Sequence, residues 1–144
     1  MTNYIPPAID WVREQVELYE SSAGTKGTTL RDTGLPCIIV THMGNKTGGI
    51  RKIPLMRVKV GDCYVLIGSY GGRENNPVWV YNLRDNPDVE IRDMTEVFKM
   101  RVREVEGDPE RQRLWESSTA AYPPYNEYQT KTSRKIPVFI AEPV

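Results

Sequence analysis

Lys46, Arg51 and Lys52 fall within one short stretch, GNKTGGIRKIPL (residues 44–55), together with Gly44, Gly48 and Gly49 and without a single acid. Glycines permit turns in which several backbone N–H groups converge on one point. An arginine can grip a phosphate or carboxylate through two parallel hydrogen bonds. The chemistry these residues suit is anion binding. The stretch is not a Walker loop, which needs Gly directly before its Lys and another Gly five residues earlier; Asn45 and Val40 stand there instead. Taken alone, a solvated hairpin tip explains it equally well. A second glycine-rich stretch, SYGGREN (residues 69–75), changes the balance. It ends a strand expected to pair with the strand leading out of the first loop, so both loops border one cleft. Ser69 and the N–H groups of Tyr70, Gly71 and Gly72 are its expected donors, to a ring carbonyl or a phosphate. The third feature is AYPPYNEYQ (residues 121–129). Pro123 keeps Tyr122 out of helical geometry, and Tyr125 and Tyr128, three apart, share one face of the helix that follows. Three tyrosines make a wall that stacks on flat rings and still hydrogen-bonds. Core packing with the hydroxyls at the rim is the plainer alternative.

The side chains offer little unaided chemistry. The only histidine, His42, reads as a polar residue at a strand end, and no Cys, His or carboxylate cluster has ligand spacing, so neither a metal site nor a Ser-His-Asp set is expected. Cys37 and Cys63 lie in apolar runs and read as buried small hydrophobes. An enzyme built this way would leave its difficult step to a bound cofactor. Lys+Arg and Asp+Glu balance at 19 and 19, so no global field recruits nucleic acid or an anionic membrane. No apolar run approaches the roughly 20 residues of a membrane span, and no signal-peptide core is visible. A cytoplasmic location is the default, with membrane association left open.

The elements that must position these residues follow from periodicity. Ile5, Ile9, Val12, Val16 and Tyr19 form one helical stripe, with Pro6 and Pro7 in its first turn and Arg13, Glu14, Glu17 and Glu20 outside it. Residues 21–29 read as a mobile linker. LPCIIVTH is an apolar strand, residues 44–55 a turn, and Met56, Val58 and Val60 alternate as the next strand. Gly61-Asp62 turns into CYVLIGS. Asn76 caps a helix with Pro77 first. Two alternating strands, around Val89 and around Phe98, precede two short helices and a final strand, IPVFIAEP. This order predicts an α+β fold: about six mainly antiparallel strands in a β-barrel with peripheral helices. The chain divides into an amphipathic helix and linker (1–27) and a barrel domain (28–144).

GNKTGGIRKIPL, VLIGSYGG, NPVWVYNL, NPDVEIR, AYPPYNEYQTKT and IPVFIAEPV, in that order, resemble the deazaflavin-dependent nitroreductase family, actinobacterial reductases that use coenzyme F420. The likeness implies a split β-barrel of the FMN-binding type. It implies that Lys46, Thr47, Arg51 and Lys52 hold the phosphate and acidic tail of the cofactor. Ile53, Pro54 and Leu55 would present backbone to its ring, any N–H coming from the neighbours of Pro54. Ser69, Tyr70, Gly71 and Gly72 would flank ring and phosphate, with Trp79 and Asn82 completing the pocket. Tyr122, Tyr125 and Tyr128 would face the substrate, and Ser69 and Tyr128 would serve the reacting centre. The implied partner is a small electron acceptor. FMN in place of F420, a peripheral membrane contact and a homodimer stay open.

Overall fold

The computed structural model describes residues 3–144. Helix α1 (Asp10–Ser21) precedes the strands β1 (Cys37–Met43), β2 (Ile50–Met56), β3 (Lys59–Val60) and β4 (Cys63–Ile67). Helix α2 (Val78–Asp85), the hairpin β5 (Asp88–Asp93) and β6 (Glu96–Glu104), helices α3 (Glu110–Ala121) and α4 (Pro124–Thr130), and β7 (Val138–Pro143) follow. All seven strands join one antiparallel sheet in the order β2-β1-β5-β6-β7-β4-β3.

The two edges of that sheet, β2 and β3, are separated in the chain only by Arg57 and Val58. The Arg57 N–H donates to the Pro36 carbonyl beside β1 (3.1 Å), while the Val58 carbonyl accepts from Val65 on β4 (2.9 Å). The chain changes partner between adjacent residues, so the sheet curls until its edges meet, as a split barrel. The strand count is seven rather than six because residues 50–56, expected as a turn, form a strand that this corner breaks from β3. Buried polar groups pin the corner. Asp93, 8% exposed, accepts on Oδ2 from Arg57 Nε (2.8 Å) and from the Tyr64 hydroxyl (2.6 Å).

Residues 37–40 of β1 are all apolar because both faces of the strand are covered there. Ile38 and Val40 point into the barrel with Tyr64, Leu66, Ile91, Met100, Val102 and Phe139. Cys37 and Ile39 point outward beneath Val16 and Tyr19 of α1. Each such large side chain, fully buried, contributes about 1.5–3 kcal/mol. Trp79, Val80 and Leu83 of α2 pack against the barrel core, while Leu114, Trp115 and Tyr125 pack with Val65, Ile67, Val138 and Ile140 in a separate cluster.

Two helix starts differ from expectation. Ile9 is extended (φ −82°, ψ 125°), so α1 begins at Asp10, after Pro6 and Pro7. A residue before proline disfavours helical backbone, and two prolines in a row keep residues 5–6 extended. That segment instead straps β2: Ile50 N–H donates to Asn3 and Ile5 N–H donates to Ile50, both at 2.8 Å. Asn76 does not cap α2; its Oδ1 accepts from Arg134 at 2.7 Å. Cys63 is only half-buried, and both thiols are free.

Candidate active site

The pairing of β1 with β2 decides what the cationic stretch can do. His42 faces Arg51, Val40 faces Ile53 and Ile38 faces Leu55, so these residues share the inner face. Thr41 with Lys52 and Ile39 with Pro54 share the outer face. Adjacent strand residues point to opposite sides, which separates Arg51 from Lys52. The Lys52 ammonium turns to Glu20 of α1 (2.8 Å), and Arg92 reaches the other oxygen of the same carboxylate (2.5 Å). Burial pushes the Glu20 pKa up, but the hydrogen bonds from Lys52 and Arg92 outweigh it and hold the carboxyl below its ordinary range. One expectation is thereby corrected: Glu20 is not outside the buried stripe. The Lys52 ammonium pairs with Glu20, although the residue still lines an apolar groove.

Backbone direction on β2 alternates as well. Ile50 N–H points away from β1, to Asn3, and Arg57 N–H points toward β1, to Pro36. By that alternation Ile53 and Leu55 direct their N–H groups to β1, and Pro54 has none, so the donors left on this edge are Lys52 and Met56 N–H. The expected supply of N–H groups from the neighbours of Pro54 is absent for that reason.

Arg51, Val78 and Asn82 stand where two grooves meet. One, of about 240 Å³, is mostly apolar and is lined by Ile53, Tyr70, Trp79 and His42, with Ile5, Ile9 and Val12 of the N-terminal segment along its other side. The second, about 440 Å³, is bordered by Lys46, Thr47, Asn45 and Tyr81. The turn between β1 and β2 is tight: Gly48 N–H donates to Gly44 (2.9 Å), Gly44 N–H to Gly49 (2.8 Å) and Gly49 N–H to the Thr47 hydroxyl (3.1 Å). Asn82 is 1% exposed. Its Oδ1 accepts from the backbone N–H of Asn45 (2.9 Å), which fixes the amide orientation because that group can only donate. Its Nδ2 is buried with no partner. An unmatched buried donor costs about 1–3 kcal/mol, and this one belongs to a residue that lines both grooves.

His42 extends the inner row Ile38, Val40 to the groove and is 5% exposed. Its Nδ1 lies 3.3 Å from the Val40 carbonyl, which can only accept, so Nδ1 carries the proton. Burial, and to a lesser degree Arg51, pulls its pKa down to about 4 against the opposing effect of the Val40 carbonyl. The unfolded imidazole protonates near 6.5 and the folded one only near 4, so the resulting stabilisation is complete above pH 6.5 and is lost as pH falls through 4. The unfolding free energy from urea titrations should therefore drop between pH 6.5 and 4.5, by about 1 kcal/mol per pH unit. The slope should be shallower in His42→Gln; equal slopes in both proteins would refute it.

The second glycine-rich loop forms a 3-10 turn, Tyr70–Gly72, and Gly72 has φ +82°. Ser69 is right-handed helical and Tyr70 left-handed (φ 47°), a pairing that turns successive N–H groups to one side. Gly72 is not a free donor: its N–H goes to the Ser69 carbonyl (2.8 Å). A Cβ on Gly72 would lie 2.7 Å from the Tyr128 carbonyl, so α4 packs directly on this turn. Tyr70 lines the apolar groove, whereas Ser69 lines neither groove. Arg134 holds the loop, donating to the carbonyls of Gly68 (3.1 Å), Ser69 (2.8 Å) and Arg73 (2.9 Å) as well as to Asn76.

The three tyrosines meet, with ring centroids 5.1 to 6.3 Å apart. Tyr125 is buried against Trp115 and is a packing residue, its pKa driven up by burial. Tyr122 and Tyr128 are half-buried with their hydroxyls 3.1 Å apart. None of the three lines either groove. The hydrogen bond shared with Tyr122, then burial, pushes the Tyr128 pKa up to about 12. His42 and Arg134 were not singled out by sequence. The alternation Ile38, Val40, His42 carried the signal for the first; a lone arginine in a loop carried none for the second.

A model of the F420H(2)-dependent quinone reductase family matches residues 11–143. An F420H(2)-dependent quinone reductase of Mycobacterium tuberculosis is 35% identical over 128 residues, which cover 85% of this chain and 83% of that one. A solved F420-H2 dependent reductase is 44% identical with a TM-score of 0.70, over 74% of this chain and 94% of that one. A solved chain described as a domain-swapped dimer is 43% identical with a TM-score of 0.73, over 92% and 98%. With the site spread along the matched residues, the chain belongs to the F420H(2)-dependent quinone reductase family.

Proposed function

We propose that this chain is a reductase that holds coenzyme F420 across both grooves. The flat ring lies in the apolar groove, the acidic tail on Lys46, Thr47 and Arg51, and the hydride goes to an electron-poor planar acceptor: a quinone, an α,β-unsaturated lactone or ketone, or a nitroaromatic. The observation that carries this reading is the unmatched Asn82 Nδ2 beside Arg51, between an apolar groove and a cationic one. A ligand that is apolar and planar at one end and anionic at the other matches both grooves and supplies the missing acceptor. The bound deazaflavin supplies the hydride; the chain binds, orients and excludes water. Trp79 and Ile53 provide ring contact, and the N-terminal segment covers the groove from solvent. Ser69 and Tyr128 are assigned to the acceptor side, where a hydroxyl would hydrogen-bond an oxygen gaining negative charge. The Tyr128 hydroxyl stays protonated through neutral pH, so it remains a donor there.

The deciding measurement titrates the protein with F420 and with FMN at low and high salt. F420 should bind more tightly, and its affinity should fall with salt because tail contacts are screened beyond about 10 Å at 0.1 M. A flat salt response, or preference for FMN, would remove the tail cradle. Oxidation of the reduced cofactor by menadione separates a reductase from a protein that only carries the cofactor. Tyr128→Phe should lower kcat/KM for menadione about tenfold, the value of one charge-assisted bond in the transition state, and leave F420 affinity unchanged. A large change in affinity would move Tyr128 to the cofactor side. We also read the chain as a homodimer, on its likeness to the domain-swapped chain; sedimentation measures this directly.

A further inference from the structure

We infer that His42 accepts, at Nε2, a hydrogen bond from the imide N–H of the bound ring. The inference rests on the proposed F420 reading and assigns one contact within it. His42 lines the apolar groove, and its Nδ1 proton faces the Val40 carbonyl, so Nε2 carries the lone pair. Among the described residues no protein group donates to that nitrogen. Most other polar side-chain groups at the groove are donors: the Arg51 guanidinium, on the paired strand position, the Lys52 ammonium, which Glu20 holds, and the orphan Asn82 Nδ2; the Tyr70 hydroxyl can donate or accept. A phosphate or carboxylate tail has no proton to give at neutral pH, so it satisfies the donors and cannot satisfy His42. A pyrimidinedione edge can. It reads carbonyl, N–H, carbonyl, and it asks for donor, acceptor, donor. The groove offers these three kinds of group from Arg51, His42 and Asn82. Burial keeps the imidazole neutral and its lone pair available at pH 7.

Because His42 is the only histidine, imidazole ¹⁵N labelling yields one unambiguous Nε2 resonance. The labelled protein is titrated with F420 while cofactor fluorescence follows binding independently. The Nε2 resonance should move upfield, as for an acceptor gaining a proton donor, with the same midpoint as the fluorescence change. A 5-deazariboflavin without the 8-hydroxyl should move it equally, since it keeps the imide. His42→Leu should weaken F420 binding about five- to tenfold, and His42→Gln, which retains an acceptor oxygen, should recover most of that loss. F420 binding by fluorescence with a stationary Nε2 resonance would overturn the inference and leave the proposed function standing. A shift seen only with the 8-hydroxylated ring would overturn the imide assignment. No binding of F420 at all would overturn the inference together with the reading beneath it. The measurement on the unmodified protein needs no variant to fold.

Discussion

Arg51→Ala raises the dissociation constant for F420 by about ten- to a hundredfold, whereas Lys52→Ala changes it by no more than about threefold. The two cations are neighbours in sequence, and composition alone would rank them equal. The strand separates them. Arg51 faces inward and borders both grooves, so its guanidinium can take a tail oxygen in a bidentate grip worth about 1.5–3 kcal/mol. The Lys52 ammonium already belongs to Glu20. Its removal leaves Glu20 to Arg92 alone and loosens the end of α1. Lys52→Ala should therefore appear in thermal denaturation, as a loss of about 1 kcal/mol, rather than in cofactor affinity. Lys46, exposed on the turn, should fall between the two. Fluorescence titration of the three variants at one ionic strength ranks them. Equal losses for Arg51→Ala and Lys52→Ala would mean that the Glu20 pair opens when the cofactor arrives, and the division of labour argued here would fail.

That separation also explains how far the sequence could be read. The strands around Val89 and Phe98, the helix after Pro77, and the three tyrosines announce themselves through alternation, proline placement and spacing. Residues 50–56 did not. Arg, Lys and Pro within the run hide its period of two, because its outer face is covered by α1 and a salt bridge instead of apolar neighbours alone. Taken as a turn, that run puts Arg51 and Lys52 on one loop and gives His42 no partner at its strand end. The register His42↔Arg51 restores both facts together. Asn82 comes into view through the family resemblance and not through spacing; that its amide nitrogen is orphaned depends on a backbone N–H from Asn45, a contact no motif contains.

Arg134→Ala should produce the broadest damage of any single change outside the grooves. One guanidinium satisfies three backbone carbonyls of the Gly68–Arg73 loop and the Asn76 side chain. Burial pulls its pKa down, yet the group stays charged, and each bond it makes is charge-assisted. Those carbonyls flank the left-handed Tyr70 and Gly72, conformations that persist only while their surroundings hold them. Gly72 in turn sits against the Tyr128 backbone. Releasing the loop thus disturbs the cofactor groove through Tyr70 and the acceptor-side tyrosines through α4. The expected stability loss is about 2–3 kcal/mol, discounted for partial exposure, which lowers Tm by about 5–10 °C in a domain of this size. F420 affinity and menadione turnover should each fall at least about tenfold, by loss of preorganisation on both sides. Arg134→Lys should not restore them, because an ammonium lacks the planar fork that reaches four acceptors. The outcome that would sink the argument is a variant that melts like the parent and turns over menadione at the parent rate: the loop would then keep its shape without the clamp.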